Sequence, residues 1–325
     1  MTEFEALTGS IEELRGGLTG YCYRMLGSAF DAEDAVQETM VRAWRNAARF
    51  EGRSSLRTWV YSIAHRVCLD ALAGRGRRAT PMDLSGPTSG ATGPGTPLDA
   101  SRWIEPCPDG RTSAAPADPA EVVTDRESIR LAFVAALQHL PPKQRAVLLM
   151  REILGLSAGE VAELQDTSVA SVNSALQRAR STLAAHRTPP QAEREPVAPS
   201  DTQQVLADRY AAAFAAYDMD MLAMLLHVDV TLSLPPYPMW MRGFDDVEAW
   251  LTGPAIGCRG SHLVPTMANG VPAFGQYRPC ADGTGFEPWA LQVLDIADSR
   301  IRGISFFRDT ERLFPLFDLP DRVAA

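Results

Sequence analysis

Residues 31–52 read DAEDAVQETMVRAWRNAARFEG, and residues 53–78 continue RSSLRTWVYSIAHRVCLDALAGRGRR. The first run predicts an amphipathic helix. Asp31 stands at the expected N-cap, and Asp34 sits where a capping box reaches back. Val36, Met40 and Ala43 or Trp44 recur at helical spacing and mark a buried face. Asp34, Gln37, Glu38 and Val41 share another face, because residues three and four apart are helix neighbours. The second run is basic: Arg53, Arg57, Arg66, Arg75, Arg77 and Arg78 stand with Trp59, Tyr61 and His65 among them. Positive charge follows phosphate, and flat rings stack on unpaired bases.

These two runs together resemble region 2 of the bacterial sigma factors, in particular the extracytoplasmic-function group. The resemblance implies that Asp34, Gln37 and Glu38 grip the clamp of RNA polymerase core. For Asp34, helix capping explains the residue equally well. The resemblance further implies −10 promoter contacts by Arg53, Arg57, Trp59, His65 and Arg66, with Arg75, Arg77 and Arg78 on phosphate. The polar segment 50–58 is expected to be the loop that captures a flipped base, an extrusion that costs a few kcal/mol and needs compensating contacts. Trp59 fits a core position as well as a base stack.

Upstream, Leu14, Leu18, Tyr21, Met25 and Leu26 form a helical stripe broken at Gly27-Ser28, the mark of a core helix. Downstream, residues 80–124 are rich in Pro, Gly, Ser, Thr and Ala, as in SGPTSGATGPGTPLD at 85–99. Such composition predicts a flexible linker. Its exception is WIEPCPD at 103–109, an apolar cluster expected to dock. It resembles a short element of sigma factors that carry an extra C-terminal domain.

Residues 125–187 are helical again. Ile129, Phe133, Leu137 and Leu140 form a stripe closed by Pro141-Pro142. Ser157 and Glu160 make a capping box that opens SAGEVAELQ. After a turn at Asp166-Thr167, SVASVNSALQRAR from Ser168 carries Val169, Val172, Leu176 and Ala179 at alternating spacings of three and four. Two short helices about a tight turn predict a helix-turn-helix, whose second helix enters the major groove. The block resembles sigma region 4, which reads the −35 element and meets the polymerase flap. Ser168, Ser171, Ser174, Arg178 and Arg180 are then the expected contacts. Asn173 and Ala175 are neutral where many relatives are basic, which predicts weaker phosphate binding.

A second linker, PPQAEREPVAPS, spans 189–200, and a third domain is expected over 201–325. Two helices are followed by a half-buried strand at 228–234, a short helix at 245–251 and strands near 262–268, 272–278, 288–296 and 300–308. The order resembles the SnoaL-like branch of the NTF2-like fold, an α+β cone with a pocket in the mouth of a bent antiparallel sheet. His227, Asp229, Tyr237 and His262 are the candidates for proton transfer there. General acid–base chemistry needs a pair at hydrogen-bond distance, and none is evident in the sequence. Trp240, Trp250 and Trp289 fit a pocket wall, a docking face or plain core.

The expected architecture is therefore multidomain: helical region 2, helix-turn-helix region 4 and an NTF2-like cone. The expected function is that of a sigma factor with a fused regulatory domain, and not an enzyme. Two rivals remain: a helix-turn-helix regulator acting without polymerase core, and an NTF2-like isomerase or hydrolase on a DNA-binding chain. The 325 residues carry a formal net charge of −9. That charge argues against coating DNA alone and fits a protein that meets DNA beside a larger partner. The five cysteines are scattered without a CxxC pair, so no metal or other cofactor is expected. Without a signal pattern or spanning segment, the expectation is a cytoplasmic protein with no membrane partner.

Overall fold

The computed structural model describes residues 9–47, 50, 52, 54–112, 128–186, 200–297 and 299–324. Arg53 lies outside the described residues. The chain divides into two compact units, one of residues 1–78 and 104–188 and the other of residues 79–103 and 189–325.

In the first unit, α1 (Arg15–Leu26), α2 (Ala29–Asn46) and α3 (Leu56–Leu72) pack together. Leu18, Tyr21, Cys22 and Met25 of α1 meet the buried Ala32, Val36, Met40 and Ala43 of α2 and Val60, Ala64 and Cys68 of α3 in one apolar core. Gly27 ends α1 in the left-handed region at φ 71°, the conformation glycine adopts without a Cβ penalty. The N-cap of α2 is Ser28, whose hydroxyl accepts from the Asp31 backbone N–H at 3.2 Å. Asp31 is thereby inside the helix, and its carboxylate is released for other partners. Ser55 caps α3, accepting from Thr58 at 3.0 Å.

The same unit continues with α4 (Leu131–Gln138), α5 (Pro142–Leu148), α6 (Ala158–Leu164) and α7 (Val169–His186). A π turn over Leu149–Ile153 extends α5, and Gly155 at φ 68° stops it. The α6 capping box is complete: Ser157 Oγ accepts from Glu160 N–H at 3.2 Å, and the Glu160 carboxylate accepts from Ser157 N–H at 2.7 Å. Those hydrogen bonds hold the Glu160 carboxyl below its ordinary value. Asp166 turns the chain at φ 50°, and Val172, Leu176 and Ala179 bury one face of α7.

The second unit opens its later part with α8 (Ser200–Ala216) and α9 (Met219–Leu225). A six-stranded sheet follows, with α10 (Phe244–Thr252) between its second and third strands and α11 (Thr310–Leu316) after its last. The strands are β1 (Leu226–Ser233), β2 (Trp240–Arg242), β3 (His262–Ala268), β4 (Val271–Pro279), β5 (Phe286–Ala297) and β6 (Arg300–Phe307). Their order is β2-β1-β6-β5-β4-β3. The expected sheet was wholly antiparallel, but β1 and β6 run parallel, with Leu232 opposite Ile304. Strands β3 to β6 form an antiparallel meander, and the free edge of its last strand takes β1, whose direction makes that pair parallel. Tyr210, Phe214, Leu232, Met241, Trp250, Leu294 and Phe306 form the core between helices and sheet.

Residues 79–103 differ most from expectation. They belong to the second unit and are tied to it rather than loose. Thr88 N–H donates to the Trp240 carbonyl at 2.7 Å, and Leu98 N–H donates to the Pro236 carbonyl at 2.8 Å. The Trp240 indole N–H donates back to the Ser85 carbonyl at 2.8 Å. Gly90 N–H donates to Asp246 Oδ1 at 2.9 Å. A Cβ on Gly90 would stand 1.9 Å from the Asp246 carbonyl oxygen. Composition predicts how little apolar surface a segment can bury alone. It does not register backbone hydrogen bonds offered by a neighbouring domain.

Candidate polymerase and nucleic-acid interface

The outer face of α2 carries Asp34, Gln37 and Glu38, all exposed, opposite the buried Ala35, Val36, Thr39 and Met40. Glu38 accepts from Arg42 one turn on at 2.7 Å, an exposed pair of small energetic weight. None of the three caps the helix, since Ser28 does that. They form a contiguous acidic and amide surface.

On α3 the expected DNA contacts divide. Arg57 and Arg66 are exposed. Arg57 lies 5.6 Å from the Tyr61 ring centroid. Trp59 is half-buried and tilts against Phe50 at 5.2 Å. His65 is buried at 4 % exposure, its Nδ1 3.3 Å from the Tyr21 hydroxyl. Burial, aided by the charges of Arg66 and Lys143, pulls its pKa down to about 4. It is a neutral core histidine in this conformation, not a surface DNA contact. Burial likewise pushes the Tyr61 phenol up to about 12.

The three arginines after α3 also divide. Arg78 is buried at 8 % exposure, donates to Asp31 at 2.7 Å and stands 3.6 Å from Glu105. It is an internal strut rather than a phosphate contact. Arg75 is exposed and shares the Asp31 carboxylate at 2.9 Å. Arg77, exposed, donates to the His139 imidazole at 2.8 Å.

Glu105 belongs to the WIEPCPD run, and the part of that run within the first unit is docked. The Tyr23 hydroxyl donates to the Glu105 carbonyl at 2.9 Å, and Glu105 N–H donates to the Gly27 carbonyl at 3.0 Å. Ser28 Oγ donates to the Glu105 carboxylate. The Glu105 side chain therefore meets the helix-capping serine and a strut arginine at once.

In the helix-turn-helix, Ser168, Ser171, Ser174 and Arg178 are exposed along one side of α7. Ser168 Oγ accepts from Ser171 N–H at 3.1 Å, so it is partly spent on the helix start. Arg180 is exposed but paired with Glu152.

Sequence patterns do not register how the two helical blocks meet. Arg145 of α5 is buried at 3 % exposure. It donates to the Met25 carbonyl at the end of α1, to Gln138 Oε1 at 2.6 Å and to the Leu140 carbonyl at 3.1 Å. Gln138 Nε2 in turn donates to the Arg24 carbonyl at 3.3 Å. Arg24 Nη2 donates to Ser128 Oγ at 2.6 Å. Burial pulls the Arg145 pKa down to about 10, which still leaves it charged at neutral pH. Through this cluster α1 lies against α4 and α5, and α3 separately meets α5 and α6. A single buried guanidinium among many arginines gives no periodic signal, so the sequence does not single out Arg145.

In the second unit, His227 and Asp229 lie on β1, where His227 Nδ1 accepts from the Asp229 backbone N–H at 3.1 Å. Asp229 and His262 are exposed, and β3, which carries His262, is four strands from β1 in the sheet. Tyr237 is half-buried in the turn after β1. Among the described residues, no cluster of three or more His, Cys, Asp and Glu side chains could hold a metal ion. No described helix is long and apolar enough to cross a membrane.

The sigma-70 region 2 family model matches residues 11–78, and the sigma-70 region 4 model matches residues 130–183. The ECF RNA polymerase sigma factor SigG of Mycobacterium tuberculosis H37Rv is 45% identical over 312 residues, covering 95% of this chain and 83% of that protein. The chain belongs to the ECF RNA polymerase sigma factors. SigJ of the same strain is a more distant relative, 29% identical over 260 residues, with 78% of this chain and 72% of SigJ covered. The crystal structure of M. tuberculosis SigJ shares the fold at a TM-score of 0.62 and 23% identity, covering 96% of this chain and 99% of that one. The sigma factor fold here thus includes the C-terminal helix-and-sheet unit. Regions 2 and 4 of this sigma factor are the two halves joined at Arg145.

Proposed function

We propose that this sigma factor engages the core polymerase clamp through Asp34, Gln37 and Glu38, and the flap through region 4. The observation that carries the reading is the exposed face of α2, which no helix cap or core contact accounts for. Arg57, Trp59 and Arg66 are the proposed −10 contacts, with Arg75 and Arg77 on phosphate. Ser168, Ser171, Ser174, Arg178 and Arg180 are the proposed −35 contacts. His65 and Arg78 reach DNA only if the core around them opens. Arg53 is retained from the sequence alone.

The packing of region 4 on region 2 fits a resting form. Elements centred about 25 base pairs apart are separated by roughly 85 Å of duplex at 3.4 Å per base pair. A compact body of about 160 residues has a radius of gyration of roughly 15 Å. One closed unit cannot touch both elements, so promoter engagement requires regions 2 and 4 to part at Arg145. The second unit has no assembled proton-transfer pair at its four candidate residues, and a regulatory role accounts for it better than turnover.

The test is co-purification with core polymerase. The Gln37→Ala, Glu38→Ala double variant should bind core at least roughly tenfold more weakly, since interface polar groups are worth a kcal/mol or more. Its thermal stability should stay within about 0.5 kcal/mol of wild type, as for exposed positions generally. Wild-type affinity in the double variant would remove the assigned face.

A further inference from the structure

We propose that the second unit binds a small aromatic carboxylate at Arg308, Arg278 and Trp289. The Arg308 guanidinium carbon lies 3.8 Å from the Trp289 ring centroid, and that of Arg278 lies 5.4 Å from the same centroid. The Trp289 ring also meets Phe306 at 5.9 Å and Trp250 at 6.3 Å, and Trp250 meets Phe306 at 5.8 Å. Two cations therefore stand over the Trp289 ring, which packs with Trp250 and Phe306 in the core.

Their electrostatic position is unbalanced. Arg308 is half-buried, and among the described residues its side chain has neither a carboxylate partner nor a hydrogen bond. Arg278 reaches only Glu287, at 3.6 Å, and keeps 35% of its side chain exposed. Burial and the neighbouring Arg278 charge both act against the Arg308 cation. A stacked ring returns part of that cost. An anion would return more, because a guanidinium presents a fork that matches a carboxylate.

The neighbouring polar groups make the omission informative. The Tyr210 hydroxyl donates to Gln292 Oε1 at 2.7 Å, and Gln292 Nε2 donates to Gln276 Oε1 at 2.8 Å. Gln276 Nε2 donates to Ser261 Oγ at 2.9 Å, and Ser261 Oγ donates to the Cys258 carbonyl at 2.6 Å. This buried chain is closed from end to end. Beside it, Arg308 Nε, Arg278 Nε and the Trp250 indole N–H are buried with no acceptor among the described residues. Native proteins rarely leave such donors unmet. Apolar walls with a few convergent donors are the usual make-up of a small-molecule site.

The experiment is calorimetric titration of the full chain with benzoate, benzamide and inorganic phosphate. Benzoate should bind, with benzamide roughly tenfold or more weaker for want of charge. Arg308→Gln should weaken benzoate by a similar factor, and Arg308→Lys should recover part of it. Equal affinity for benzamide, phosphate as tight as benzoate, or no benzoate heat up to about 10 mM (a binding energy too small for a designed site) would each overturn the proposal. If Arg308→Gln is not folded by circular dichroism, Arg278→Gln decides instead: reduced benzoate affinity supports the site, and wild-type affinity overturns it.

Discussion

The hydroxyl of Tyr21 on α1 and Nδ1 of His65 on α3 face each other at 3.3 Å inside region 2. This pairing removes His65 from the surface and makes its protonation a folding event. An ordinary histidine titrates near 6.5, whereas here burial holds the folded value at about 4. The folded state thus prefers the neutral ring.

The sign follows from linkage. The unfolded chain takes up a proton between pH 6.5 and 4 that the folded chain refuses, so stability falls as pH falls through that window. It is fully present above pH 6.5. Unfolding free energies from urea titrations at pH 7 and pH 4.5 should differ more in wild type than in His65→Gln. The excess should be on the order of 2 kcal/mol and no more than about 3. An identical pH slope in both proteins would mean that His65 is solvated.

Gly90 offers a test of the 79–103 segment. A methyl group there would lie 1.9 Å from the Asp246 carbonyl oxygen, so Gly90→Ala must push the segment off α10. Overpacking of this kind costs about 1 to 3 kcal/mol. Limited proteolysis should cut the variant within 79–103 while wild type resists there. Equal protection would place the segment's anchorage elsewhere, at Trp240 and Ser85. Truncation before Ser200 should expose the same stretch, and it should change promoter output if the C-terminal unit regulates the sigma regions.

Much of this fold is legible in the chain because local patterns carry it. Ser157 and Glu160 announce their helix by capping chemistry alone, and Val172, Leu176 and Ala179 announce a buried face by spacing. What escapes is non-local. Ser28 caps α2 although Asp31 looks the better cap, because Asp31 is taken by Arg75 and Arg78, 44 and 47 residues away. His65 and Arg78 read as DNA contacts by type and neighbourhood, since burial by distant elements leaves no mark on their own segment. The parallel β1–β6 pair is equally non-local, since neither strand's own sequence names the neighbour it takes.

The joint at Arg145 predicts a distance change. Labels at Arg45 and Gln177, both exposed, can be attached in a Cys280→Ser background, because the other four cysteines are buried. Energy transfer between them should be high in the free protein and fall when core polymerase and promoter DNA are added. Arg145→Met should lower transfer in the free protein, since it removes the donors to Met25, Gln138 and Leu140. Unchanged transfer on adding polymerase would mean that regions 2 and 4 act without parting.

The most direct measurement is run-off transcription from genomic fragments by core RNA polymerase with and without the purified chain. Discrete transcripts should appear that need the chain and weaken in the Gln37→Ala, Glu38→Ala variant. Transcripts identical in number and position with and without the chain, across the fragment set, would contradict this.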